Sequence, residues 1–395
     1  MSSGDPSGSQ ASGHLMQAIA ARRVVSAVFL MCGGFFGLWA SRIPDIKAAT
    51  GLSEGWFGVL LLVMALGAFT AFPTAGALMD RHGPARVTKG AALGTAVAFT
   101  LLGLSPSVVT LVAALFFAGF AFGSLDVSMN GWGAEVETAL ERPVMSSFHG
   151  LFSLGAGVAA AAGGLAITLG FSVALHFCLW GLLSVPILVV CLRQHWPQSV
   201  GGAETQDKAP LFAFPEGALR FAGLIALIAA LGEAAVTDWA ALYQILDLGY
   251  SEAMAPIAFT VFSVAMVIMR LAGDRIIARF GPVPVARVSG FVAFVGCVLL
   301  VSGWNIFVVW IGCFVMGLGY AVLFPLAMSR AAADPHMSKG RALASVATLG
   351  YGAFLFGPPV LGFIGQLFSL GASFAVVALL TLIIPFLAGA LKVKS

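Results

Sequence analysis

Residues 108–130 read V-V-T-L-V-A-A-L-F-F-A-G-F-A-F-G-S-L-D-V-S-M-N. No charge interrupts the run from Val108 to Leu125, and a helix needs about 20 such residues to cross a bilayer core. The run then acquires a carboxylate, Asp126, and an amide, Asn130, a helical turn later. A spacing of four sets both side chains on one helix face. An ionisable group inside a membrane costs roughly 2.5–3.5 kcal/mol even on the lenient insertion scale, so such groups face a cavity or a partner. The stretch therefore reads as a membrane helix carrying a site that handles protons and a solute.

The rest of the chain has the same character. Its 395 residues are 59% hydrophobic and only 9% charged, with a mean hydropathy of +0.99; a soluble chain carries about 25% charged residues. The expected class is an all-α polytopic membrane protein embedded in a lipid bilayer. The 48 glycines suit helices whose backbones approach closely. The net charge of +3 does not point to nucleic acid, because the basic residues sit in short loops. Cys32, Cys178, Cys191, Cys297 and Cys313 lie in apolar runs without disulfide or metal spacing, and no cofactor is expected. Twelve spans can be placed, near 24–45, 55–78, 88–105, 108–133, 144–168, 171–192, 218–240, 253–273, 285–302, 305–328, 341–365 and 370–391.

Residues 1–20 are assigned to a disordered cytoplasmic tail, its first part rich in Ser and Gly. Arg22-Arg23 before the first span is not followed by a cleavage pattern, so no secretory signal is expected. With twelve spans and both termini cytoplasmic, all 20 Lys and Arg except Arg42 and Lys47 fall on the cytoplasmic side, as the positive-inside rule requires. The polar stretch 193–216 then joins an N-terminal six-helix bundle, 21–192, to a C-terminal one, 217–395. The bundles echo each other. Trp39-Ala40 recurs as Trp239-Ala240, G-L-S-E at 51–54 as G-Y-S-E at 249–252, Asp80-Arg81 as Asp274-Arg275, Gly119 and Ala121 as Gly317 and Gly319, and Arg142 as Arg341. Parallel repeats around a midplane site are a transporter architecture.

The loop between the second and third spans, G-A-L-M-D-R-H-G-P-A-R from Gly76 to Arg86, resembles the signature loop of the Major Facilitator Superfamily, Gly-x-x-x-Asp-Arg-x-Gly-x-x-Arg. Gly76, Asp80, Arg81, Gly83 and Arg86 occupy every fixed position, and G-D-R-I-I-A-R-F-G-P at 273–282 is a degenerate copy carrying Asp274 and Arg275. The resemblance implies the superfamily fold and a cytoplasmic latch. Asp80 would pair with a cation or a helix N-terminus of the other bundle, holding the outward-facing state and parting when the cytoplasmic side opens.

The fourth span resembles the fucose permease branch, where a small-x-Leu-acid-x-x-x-Asn run holds the proton-coupling acid; Asp126 takes that position, with Asp for Glu, and Asn130 the amide. R-P-V-M-S-S-F-H-G-L-F-S-L-G-A-G at 142–157 and G-E-A-A-V-T-D-W-A-A-L-Y at 232–243 extend the resemblance. The tenth span, with G-L-G-Y-A-V-L-F-P-L-A, has neither acid nor amide, so both belong to the first bundle alone. Leu115 and Phe116 stand where many proton-driven members carry a basic residue, and 155–164 lacks the Gly-Pro pair of antiporters, which stands instead in Gly357-Pro358-Pro359. Both departures count against a drug/proton antiporter.

The resemblance also places the first and seventh spans along the cavity. Trp39, Arg42 and Asp45 close the first span, with Pro44 breaking the helix between the last two; Arg42 either binds an anionic group or neutralises Asp45. Glu233 lies about 24 Å along the seventh span from residue 217, within the bilayer. Asp238 and Trp239 follow nearer its outer mouth, and Gln244 beyond them. His149, two turns into the fifth span, is either a proton relay or a packing residue. His176, Asn305 and Gln366 read as interfacial, and Tyr351, Tyr243 and Trp132 as packing or substrate contacts. No Walker loop, clustered metal ligands or nucleophile elbow is present, so an enzyme is not expected. The expectation is a monomeric carrier of the bacterial inner membrane that imports a small polar solute with protons by alternating access. Asp126, Glu233 and His149 would couple protons. An exporter of drugs or metabolites, or a non-transporting receptor or scaffold, are the competing readings.

Overall fold

The computed structural model describes residues 6–141, 144–196, 214–337 and 339–392. Arg142 and most of the expected linker, 197–213, lie outside the described residues. The described chain is built from α1 (Pro6–Thr50), α2 (Glu54–His82), α3 (Pro84–Gly103), α4 (Val108–Leu140), α5 (Met145–Thr168), α6 (Val173–Arg193), α7 (Leu219–Leu246), α8 (Pro256–Phe280), α9 (Pro282–Ser302), α10 (Ile306–Tyr320), α11 (Leu323–Ala332), α12 (Lys339–Leu367), α13 (Leu370–Thr381) and α14 (Ile384–Leu387), closed by a 3-10 turn, Ala388–Leu391. Among the described residues, eleven segments are long and apolar enough to cross a membrane. The helix left out is α3, whose first turns carry Arg86 and Lys89. Two expectations are corrected. From Pro6 the chain is helical and continuous with the first span, not a structureless tail; the alanines and long side chains of 15–22 favour a helix. Pro44 stays inside α1, because one lost amide bond does not end a helix held by its neighbours.

The turns explain the helix boundaries. Those between α3 and α4, α5 and α6, α9 and α10, and α12 and α13 lie on what we call the distal face, away from both termini. There Ser107, Ser172, Asn305 and Ser369 accept hydrogen bonds from Thr110, Leu175, Val308 and Ala372 N–H, giving orphan donors of the helix start a partner. On the opposite, terminal face the two latch-like loops turn through glycine. Gly83 (φ 74°) and Gly281 (φ 83°) each donate N–H to a helix-end carbonyl at 2.8 Å, of Met79 and Ile277. A proline follows each at the first position of the next helix. Only glycine adopts that backbone without strain. Pro325 and Pro385 lack the N–H that would reach the carbonyls of Ala321 and Thr381, and the tenth and twelfth spans break there into α10/α11 and α13/α14.

Helix packing repeats as the sequence does. α1 lies on α5, α2 and α3 on α4, and α3 on α6; α7 lies on α12, α8 and α9 on α10, and α9 on α13. The small residues permit close approach. A Cβ on Gly33 would sit 1.9 Å from Phe152 O and one on Gly155 2.1 Å from Leu30 O, so α1 and α5 touch backbone to backbone. Side chains such as Leu182, Leu183 and Phe386 are exposed outward, as a lipid-facing belt requires. The bundles meet through two related pairs, α5 with α8 and α2 with α12.

Candidate functional site: a cavity between the bundles

Between the two bundles lies a cavity of about 300 Å³. Its walls are largely aromatic, with Phe36 and Trp39 from α1, Phe72 from α2, Phe122 from α4, Phe259 from α8 and Tyr351 from α12 among them. Into this apolar space project three carboxylates and one guanidinium: Asp126 of α4, Glu233 and Asp238 of α7, and Arg270 of α8.

The charged groups fall into two classes. Arg270 Nη2 donates to Glu233 Oε1 at 3.1 Å, and Arg270 Nη1 to Ser153 Oγ at 2.7 Å. Ser153 belongs to α5, so this arginine ties the bundles across the cavity. Among the described residues, Asp126 has no ion pair. Its Oδ1 accepts from Asn130 Nδ2 at 3.3 Å, and its backbone carbonyl from the same amide at 2.8 Å. Asp238, five residues and about 7.5 Å along α7 from Glu233, makes neither ion pair nor side-chain hydrogen bond among the described residues.

The distal end is sealed. Gln366 Oε1 accepts from Ser53 Oγ at 2.8 Å and from Gly55 N–H at 3.2 Å, so a side chain of α12 caps the start of α2. Beside it, a Cβ on Gly58 would lie 2.5 Å from Pro358 O, and one on Gly362 2.5 Å from Glu54 O. At the terminal face Asp80 and Arg81 are exposed, and Asp80 makes no ion pair among the described residues. A Cβ on Gly76 would meet nothing within 4 Å. Among the described residues, Asp80 is thus without an ion pair where the distal seal is closed.

A family model described as Major Facilitator Superfamily matches residues 24–338. The chain belongs to the Major Facilitator Superfamily. This facilitator is 40% identical over 94% of its length to 98% of "Uncharacterized transporter y4wD" of Sinorhizobium fredii (strain NBRC 101917 / NGR234). Among solved structures it is similar in fold to a D-xylose-proton symporter (TM-score 0.73, 14% identity, 95% of this chain and 99% of that one). It is likewise similar to the nucleoside transporter NupG (TM-score 0.72, 12% identity, 96% and 100%). It is a multi-pass membrane transporter, not an enzyme.

Of the residues expected at the cavity, Trp39, Asp126, Glu233 and Asp238 line it, and Asn130 stands behind Asp126. Others lie elsewhere because the protein has satisfied them. Arg42 is 1% exposed and spends its guanidinium on Asp45 Oδ1 (3.1 Å), His176 Nδ1 (3.1 Å) and Phe171 O (2.8 Å). It fastens α1 to α6, and Asp45 goes with it. Gln244, fully buried, donates to the carbonyls of Ala240 and Ala255 and accepts from Trp310 Nε1. Trp239 packs on Gly362 and Phe57 in the distal seal. His149 lies edge-on to Phe29, ring centroids 5.3 Å apart, off the cavity wall. Sequence reasoning passed over Arg270 and Ser153. Arg270 stands in the apolar run V-I-M-R-L-A-G, a charge inside a span and so open to the reading that singled out Asp126. Gln366, read as interfacial, is a bridge between the bundles.

Proposed function

We propose that this transporter couples the movement of protons to that of a small, ring-bearing polar solute by alternating access, and that the direction is import. The observation that carries the reading is the division among the cavity acids. Glu233 has its own cation in Arg270, whereas Asp126 has only an amide. A carboxylate that faces an apolar cavity without a counter-cation is costly to carry through a membrane charged, and a proton removes that cost. Asp126 is then the proton carrier, Asn130 holds its carboxyl toward the cavity, and Glu233 with Arg270 and Ser153 contacts the solute. The aromatic walls suit stacking against a sugar or base ring, in keeping with the xylose and nucleoside carriers of similar fold. The terminal face is cytoplasmic, on the side of nearly all the basic residues, so a conformation sealed distally faces inward. The protein works as a monomer in a bacterial inner membrane.

The test is transport in proteoliposomes challenged with sugars, nucleosides, polyols and amphipathic cations under an imposed pH gradient. Asp126→Asn abolishes uphill accumulation while sparing solute exchange. Accumulation driven by the pH gradient and undiminished in that variant would remove Asp126 from the coupling step.

One observation favours a second reading, export of an amphipathic cation in exchange for protons. Two acids without cations, Asp126 and Asp238, stand in an otherwise aromatic cavity, and a cation with an apolar body fits both features. Proton release from loaded vesicles on adding such a cation, with no response to neutral solutes, would select it.

A further inference from the structure

A second recess, distinct from the central cavity, opens on the terminal face between α1, α5 and α8, with a volume of about 640 Å³. Its composition is divided by depth. Arg22, Arg23, Ser26 and Ser147 stand at its mouth, and Leu151, Leu154, Val267 and Leu271 along its wall. No acid lines it. Neither arginine has a hydrogen-bond or ion-pair partner among the described residues, and Arg23 is exposed. A wall rising from Ser147 to Leu154 is about 10 Å tall, the depth of a glycerol backbone and the first methylenes of a chain. Beyond it the apolar rail continues on both helices, through the exposed side chains of Val158 on α5 and of Val264 and Ile268 on α8.

We propose that this recess is a binding site for one anionic phospholipid of the leaflet on the terminal face. The phosphodiester sits between Arg22 and Arg23, whose planar guanidinium groups offer paired donors to phosphate oxygens. The hydroxyl of Ser26 takes a glycerol oxygen, and one acyl chain lies along Leu154, Val267 and Leu271. Basic pockets between membrane helices select such headgroups. A free phosphate would leave the apolar wall uncovered, which is why the lipid and not the ion is the occupant. The wall is shared by α5 and α8, helices of different bundles, so the lipid bridges the seam along which the bundles move.

The experiment is native mass spectrometry of the purified full-length protein with phosphatidylglycerol or phosphatidylcholine added in detergent. Wild type retains one phosphatidylglycerol in preference to phosphatidylcholine. Arg22→Gln with Arg23→Gln weakens retention by roughly fivefold per arginine. Gly150→Leu, whose side chain enters the recess beside Leu271, weakens it with the arginines intact and serves if the double variant does not fold. Arg279→Gln, an exposed arginine outside the recess, leaves it unchanged. The proposal is overturned by equal retention of the two lipids, by an equal loss in Arg279→Gln, by full retention in Gly150→Leu, or by displacement with millimolar glycerol phosphate.

Discussion

Gly58→Ala tests the distal seal at its tightest point. The added Cβ would lie 2.5 Å from Pro358 O and 2.7 Å from Pro359 Cα. Ordinary contact begins near 3.4 Å, so α2 and α12 must part by about 0.9 Å there. The obstructing atoms are backbone, stiffened by two consecutive prolines, so no rotamer change relieves the clash. Overpacking of this kind costs about 1–3 kcal/mol, and it falls only on the conformation in which α2 and α12 touch. At about 1.4 kcal/mol per decade, the ratio of distally closed to distally open molecules falls roughly 5- to 150-fold. Spin labels at Ala49 and Leu367, both exposed at the distal face, report the separation by pulsed electron resonance. The variant shifts the distance distribution outward and turnover falls with it. Gly76→Ala is the opposite probe. Its Cβ meets nothing in this conformation, so it burdens only a state in which the terminal face closes over α2, and the distribution moves inward or stays. Distances and turnover in Gly58→Ala identical to wild type would refute the idea that the α2–α12 contact is the closing contact.

Two further outcomes follow from the ion pairs. Arg270→Gln leaves Glu233 in the cavity without its cation; the pair is half-buried, so its loss costs less than the roughly 3–5 kcal/mol of a fully buried one; the thermal midpoint in detergent drops, and Arg270→Gln with Glu233→Gln recovers most of it. A double variant no more stable than the single would show that the pair is not the anchor described. Arg42→Gln removes the charged contacts to Asp45, His176 and Phe171 at once, so it lowers the thermal midpoint while leaving the KM of the folded fraction unchanged; a changed KM at an unchanged midpoint would return Arg42 to the substrate site.

The fold was legible because its signals are local. Apolar runs give spans, and the Gly-Pro pair of each latch-like loop needs a glycine at positive φ. The cavity was half legible. A polar residue in a span announces that it needs a partner, but not where the partner is. Arg42 and Gln244 looked like substrate contacts because the acceptors that satisfy them are backbone carbonyls at Phe171 and Ala255, which no residue type betrays. Arg270 was overlooked for the converse reason. It stands three residues before the expected end of its span, where an arginine is ordinary, and only the packing of α5 on α8 turns it inward to Ser153 and Glu233. Trp39 and Trp239 occupy the same place in the repeat, yet one lines the cavity and the other lies in the distal seal. Repetition fixes position within a bundle, while the conformational state decides what each bundle's copy faces.

The charges in the cavity constrain the cycle whichever solute is carried. Arg270 and Glu233 cancel, and their bond lets the arginine cross the seam to Ser153 without adding net charge. Asp126 and Asp238 remain, two carboxyl groups with no ion pair among the described residues, in a space whose walls are mostly aromatic. A carrier that rocks between faces encloses that space midway, when water is least available to solvate either acid. On the proposed cycle, whichever of them is ionised is neutralised before each loaded crossing, by a proton or by charge on the solute. Asp238, about 7.5 Å farther along α7 than Glu233 toward the distal face, is the acid a solute arriving from that side meets first, and Asp126 the one whose charge is settled with the solute already in place. The direction of coupling then depends on which of the two gives up its positive charge on the opposite side. A solute that neutralises Asp238 itself competes with a proton for that acid, and competition for one acid is the physical basis of exchange, while loading of separate acids is that of symport.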